Sequence, residues 1–219
     1  MPGALAMTGV FPPFRVSAYD GKFNRCQGIR MKPIMALAIL SLLVSAPVPA
    51  RDVGDVNVPD SLTLQGEKAP LALNGAGYRK KFFIKVYVGA LYLAQPMNRA
   101  DAVLDTATPR AMLMHFVHDV STDKLANAWN DGIVANSTAA EAEALRARIV
   151  QLNGLMPDVK PGDVLQIDLP GDGTTRVWIN KTLRGAINGA DFQRAVLKTW
   201  LGPHPADRGL KRAVLGEKD

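Results

Sequence analysis

Apolar and polar positions change their spacing several times along this chain, and the stretch that organises the rest is residues 73–93, LNGAGYRKKFFIKVYVGALYL. It opens on Asn74-Gly75-Ala76-Gly77, whose glycines allow backbone angles and close approaches that a Cβ forbids, and this predicts a turn. Arg79-Lys80-Lys81 follow as a basic knot. About twelve residues rich in Phe, Ile, Val, Tyr and Leu, free of proline, then predict one long strand. Alternation puts Phe82, Ile84, Val86, Val88, Ala90 and Tyr92 on one face, read as the side packed against helices. Phe83, Lys85, Tyr87, Gly89, Leu91 and Leu93 share the other, where a lysine, a phenol and a glycine can line a pocket or meet water. Gly89 marks a bend, a bulge or a close approach. The plain alternative is a core strand with an amphipathic back.

On either side the pattern is shorter. Residues 51–59 are polar and punctuated, a lead-in arm; 62–65 and 69–73 alternate as short extended pieces. Pro96 breaks the pattern, 99–104 allow one or two helical turns, and 111–118 (AMLMHFVH) make a compact strand. In 121–136 the period becomes helical, with Leu125, Ala128, Trp129, Gly132 and Ile133 on one face. Thr138 and Glu141 form a capping box that starts a second helix, striped by Leu145, Ile149 and Leu152 and ended at Asn153-Gly154. Strands at 164–169 and 174–180 flank the hairpin signal Gly171-Asp172-Gly173. A turn at Asn180-Lys181 leads to a strand through Ile187. Asn188 is placed as the N-cap of a helix carrying Phe192, Val196, Thr199 and Trp200 and stopped by Gly202, before a last amphipathic helix at 205–215. The pattern is α+β, with helices on one face of a curved antiparallel sheet.

Composition adds a boundary. At 219 residues and 47% hydrophobic content, one globular domain is the default. Lys32, the apolar run IMALAILSLLV at 34–44 and Pro47-Val48-Pro49-Ala50 have the order of a secretory signal peptide. Residues 1–50 are therefore expected to be a leader, with Met31 a candidate true start, and 51–219 the domain. The run is short for a membrane span, so no stable span is expected once the leader is removed; an uncleaved anchor is the alternative. Residues 51–219 hold 21 Lys+Arg and 19 Asp+Glu, so the domain's net charge is 21 − 19 = +2, against +6 for the chain. The basicity belongs to the leader and gives no ground for a nucleic-acid partner. Cys26, the single cysteine, also precedes the run, so the domain has neither a disulfide nor a thiol nucleophile.

Few residues suggest chemistry. His115 and His118 are placed on opposite faces of a strand and His204 lies far off, so no metal site is expected. GAGYRK lacks the spacing of a nucleotide loop, and Ser137 lacks a nucleophile elbow, so no cofactor is expected either. Lys80, Lys81 and Lys85 suit a solvated strand edge. Arg79, after glycines and at the mouth of an apolar strand, can hold a carboxylate or phenolate in its two-donor fork; the alternative is a surface ion pair.

The run GAGYR followed by FIKVYVGALYL resembles the glycine turn, arginine and central strand of the chalcone isomerase-like family. A second match is Asn188-Gly189-Ala190-Asp191-Phe192, then AVLKTWLG and residues 205–216; together the resemblance spans most of 62–216. It implies an open-faced β-sandwich, a large antiparallel sheet covered by helices. It also implies that Arg79 is the family's anion-holding arginine, which in plant chalcone isomerases helps align a phenolate for attack on an enone. Thr199 matches a second polar position. The family's strand threonine is replaced by Tyr87, its tyrosine falls near Lys124, and its asparagine near Asn130 or Asp131. The family includes fatty-acid binders and members without catalysis. The expectation is a periplasmic or secreted domain holding a fatty acid or similar apolar acid, its carboxylate on Arg79 and Tyr87. The alternatives are an isomerase (intramolecular lyase) with an altered polar set, and a non-catalytic envelope interaction protein.

Overall fold

The computed structural model describes residues 50–217. The expected leader, with Met31, Cys26 and the apolar run, lies outside the described residues. Within them the order is β1 (Ala50–Val53), β2 (Val56–Pro59), β3 (Ser61–Leu62), β4 (Leu71–Lys81), β5 (Ile84–Leu93), α1 (Ala100–Asp105) and β6 (Arg110–Phe116). There follow α2 (Thr122–Ala135), α3 (Ala139–Asn153), β7 (Val164–Leu169), β8 (Thr174–Ile179), β9 (Thr182–Asn188), α4 (Ala190–Leu201) and α5 (Arg208–Val214). Strands β3 to β9 pair in chain order as one seven-stranded sheet, antiparallel throughout. The expected α+β class and helix-covered antiparallel sheet are what the molecule has.

Two apolar layers sandwich the sheet. On one face Tyr87, Leu91, Met112 and Met114 pack with Leu125, Trp129, Phe192 and Trp200 of the helices. On the other, Val88, Ala90, Tyr92 and Leu113 pack under Val58, Leu64 and Leu71. The arm at 51–59 is therefore not a loose lead-in: β1 and β2 form a hairpin that closes the second face, with Val58 fully buried. The two faces of β5 are reversed from the expectation, because Val88, Ala90 and Tyr92 turn away from the helices.

The glycines at 74–77 do not form a turn either. They lie inside β4, and their purpose is close approach. A Cβ on Gly75 would fall on the Ala213 carbonyl and 2.9 Å from that of Val214, and one on Gly77 would stand 2.6 Å from the Ala213 Cβ. The missing side chains let α5 lie directly on the strand. The chain reverses later, at Phe82 and Phe83, so the long strand expected over 82–93 begins at Ile84 as β5. The residues read as a turn and a basic knot form the strand that pairs with it.

The capping box at Thr138 and Glu141 is present, both hydrogen bonds made. Asn188 ends β9 instead of capping α4; the cap is Gly189, at a φ of 126° that disfavours any side chain. In place of a side-chain cap, Asp191 in the first turn forms a bidentate pair with Arg148 of α3, at 2.7 and 2.6 Å. The strand expected at 62–65 is only the two residues of β3.

Candidate functional site

A cavity of about 640 Å³ lies between the helix-facing side of the sheet and α2 and α4. That is within the range of small-molecule sites. Val86, Tyr87, Met114 and Phe116 form its sheet wall, and Leu125, Trp129, Gly132, Thr199 and Trp200 its helical wall. The rim carries Lys81, Phe82, Ile84, Lys124, Asn127 and Asp131, all exposed.

The sheet wall depends on a bulge. Arg79 pairs with Tyr87 and Lys80 with Lys85, which leaves Val86 as an extra residue on β5. A bulge breaks the alternation, so two successive residues, Val86 and Tyr87, both line the cavity. Phe116 meets the Tyr87 ring edge-on at 5.5 Å between centroids. On the helical wall Trp129 and Trp200 make a similar contact at 5.3 Å. Gly132 allows α2 to close on α4: a Cβ there would stand 2.5 Å from the Thr199 Cγ2.

Three residues that border this apolar space carry polar groups with capacity to spare. The Trp200 indole N–H donates to the Tyr87 Oη at 2.8 Å. Burial pushes the Tyr87 pKa up, while the Arg79 charge and the Trp200 hydrogen bond pull it part of the way down and Asp207 adds a smaller upward push. The phenol is neutral, its oxygen already accepts, and its proton is left to donate. The Thr199 hydroxyl is buried with no hydrogen-bond partner. Leaving such a group unmade costs about 1–3 kcal/mol.

Arg79, opposite Tyr87 in register, holds its guanidinium carbon 5.7 Å from the Tyr87 ring centroid. Among the described residues no carboxylate pairs with it. Nearby Asp207 is engaged elsewhere, accepting from the Leu210 amide at 2.9 Å as the α5 cap and from the Lys80 amide at 2.8 Å. The two-donor fork of Arg79 is therefore unmade.

The structure brings Arg79, Tyr87 and Thr199 around one cavity, with Lys124 and Asp131 on its rim. Asn130 lies on the exposed side of α2 and does not line it; Asn127 does. His118 and His204 border the cavity, whereas His115 does not; burial lowers the His115 pKa and its Nε2 has no partner. Among the described residues no group of three or more acidic, His or Cys side chains is placed to hold a metal. Sequence reasoning missed the role of Trp200, which reaches its phenol from 113 residues away and leaves no local signal. A neutral phenol, a hydroxyl and a guanidinium around an apolar space are predominantly donors, and donors hold an anion such as a carboxylate or phenolate.

Comparison with known proteins agrees with this fold. The family described as chalcone isomerase-like matches residues 50–216. Among solved structures, the crystal structure of an Arabidopsis thaliana fatty-acid binding protein is similar, with a TM-score of 0.58 and 14% sequence identity. The match covers 75% of this chain and 95% of that one; at such identity the likeness shows the fold alone. No curated protein matches.

Proposed function

The chain belongs to the chalcone isomerase-like family, and from that premise we propose that it binds a fatty acid or similar apolar acid without efficient catalysis. The observation that carries the proposal is the set of unmade donors around one apolar cavity: the Tyr87 hydroxyl proton, the Thr199 hydroxyl and the Arg79 fork. A carboxylate supplies the acceptors all three lack. The acyl chain lies between Met114 and Phe116 of the sheet and Leu125 and Trp129 of α2, burying apolar surface at about 25 cal/mol per Å². Lys124 on the rim adds positive potential for an approaching anion. The similar structure is that of a protein described as fatty-acid binding, which supports the same class of ligand.

Against efficient isomerase chemistry stands Tyr87 itself. By the family resemblance it stands where chalcone isomerases carry a threonine, a bulkier phenol whose position is fixed by Trp200. We place the domain in the periplasm or outside the cell; the support is the order Lys32, apolar 34–44 and Pro47 to Ala50. Organic extraction and mass spectrometry of the purified protein should find a bound fatty acid. An empty cavity that also fails to take up added palmitate would overturn the proposal, and rapid cyclisation of a hydroxychalcone would put the isomerase alternative in its place. Amino-terminal sequencing of the exported chain should begin near Arg51.

A further inference from the structure

The β4–β5 hairpin turns on Phe82 and Phe83, whose residues are 87% and 99% exposed, and Ile84 beside them is 51% exposed. Phe82 has a φ of 57°, in the left-handed region where a bulky residue is out of place. The β8–β9 hairpin, at the same end of the sheet, turns on Asn180 and Lys181 at φ 50° and 67°. Asparagine is a residue that such turns favour. Phe82 therefore does not suit its own backbone, and both rings are left largely in solvent.

Three lysines frame the pair. Lys80, Lys81 and Lys85 are all exposed, and among the described residues none forms an ion pair. The Lys85 ammonium rests 4.2 Å from the Tyr78 ring centroid. Among the described residues the one carboxylate bonded to this segment, Asp207, takes the Lys80 amide and leaves the ammonium alone.

We propose that this hairpin tip docks on an anionic lipid bilayer, with Phe82 and Phe83 in the interface and Lys80, Lys81 and Lys85 on the lipid phosphates. Phenylalanine rings bury at the boundary of headgroups and acyl chains, and basic side chains beside them add attraction to anionic lipid. A protein partner fits less well. The tip is a two-residue protrusion, while a stable protein interface needs about 1,000 Å² of matched surface. A bilayer admits a protrusion without shape complementarity. Among the described residues no helix is long and apolar enough to cross a membrane, so the contact is peripheral. Phe82, Ile84 and Lys81 also line the cavity, so docking sets the cavity rim at the lipid surface.

The test uses the full chain with Phe83→Trp, since the added indole reports on the tip itself. Its fluorescence, taken against the wild-type background, should shift to the blue and be quenched by brominated acyl chains in phosphatidylglycerol vesicles. Phosphatidylcholine vesicles should quench it at least tenfold more weakly at equal lipid. Replacing all three lysines by glutamine should weaken the anionic response at least tenfold. Tyr87→Phe should leave it unchanged, which separates docking from what the cavity holds. An indole that stays unquenched, whether or not the chain sediments with the vesicles, overturns the proposal. Equal quenching without the lysines, or in neutral vesicles, does so too.

Discussion

Tyr87 and Tyr92 sit five residues apart on β5, face opposite layers, and use their hydroxyls differently. Tyr92 is fully buried under the β1–β2 hairpin and donates to the Pro59 carbonyl at 2.8 Å. Tyr78, on the same side, donates to the Val53 carbonyl at 3.2 Å. On that face both phenols spend their protons holding the small sheet to the large one. Tyr87, toward the helices, accepts from Trp200 and keeps its proton. Burial raises the pKa of both Tyr87 and Tyr92, so titration does not tell the two roles apart. Their partners do: the Tyr92 proton is taken by a backbone carbonyl, and the Tyr87 proton is left to donate.

The strongest way to break the helix side leaves both phenols untouched. Gly75→Val puts a branched side chain onto the Ala213 carbonyl, so α5 cannot seat, and urea melts should show a loss above about 3 kcal/mol, the upper range for overpacking. Arg79→Ala should act on affinity instead. Removing one partner of a buried charge pair costs about 2–5 kcal/mol, and half-burial puts Arg79 at the low end, near a thirtyfold loss of acid binding by titration. Arg79→Lys should also lose affinity, because an ammonium cannot make the fork. Stability should move by less than about 0.5 kcal/mol in both.

The paired Tyr→Phe variants sharpen the contrast most cleanly. Tyr92→Phe should cost about 1–2 kcal/mol of stability, by leaving the Pro59 carbonyl unpaired, with acid affinity unchanged. Tyr87→Phe should cost about 1 kcal/mol of acid affinity, since one donor to the carboxylate goes. A smaller effect is set by pH. Above about pH 10 unfolded tyrosines ionise while the buried phenols hold their protons, so the folded state binds more protons and stability falls as pH rises. The alkaline decline of the urea midpoint should be shallower in Tyr92→Phe.

What the sequence disclosed follows the range of the interaction. Thr138 and Glu141 are three residues apart and meet within one helical turn, so α3 was legible from its first residues. Gly171-Asp172-Gly173 likewise announced the β7–β8 hairpin. Gly75 and Gly77 were misread because a glycine needed for a turn and one needed for a close approach look alike, and the helix approaching them is about 140 residues away. The faces of β5 were reversed because nothing local says which layer covers which face, nor that Val86 bulges. Arg79 and Tyr87 were legible from the pattern around them and Thr199 through the family resemblance; that they surround one cavity is a property of the packed helices. Phe82-Phe83 read as the start of a strand because their composition is that of a strand, while their position is that of a turn.

The central claim, that the unmade donors of Tyr87, Thr199 and Arg79 hold a carboxylate, is tested most directly by calorimetric titration of palmitate against its methyl ester. The chains are equal and only the charged head differs. Palmitate should bind at least about tenfold more tightly, a gap of about 1.4 kcal/mol. The gap should close in the combined Arg79→Ala and Tyr87→Phe variant. Equal affinity for acid and ester in the wild type would contradict the claim and leave an apolar cavity without an anion site.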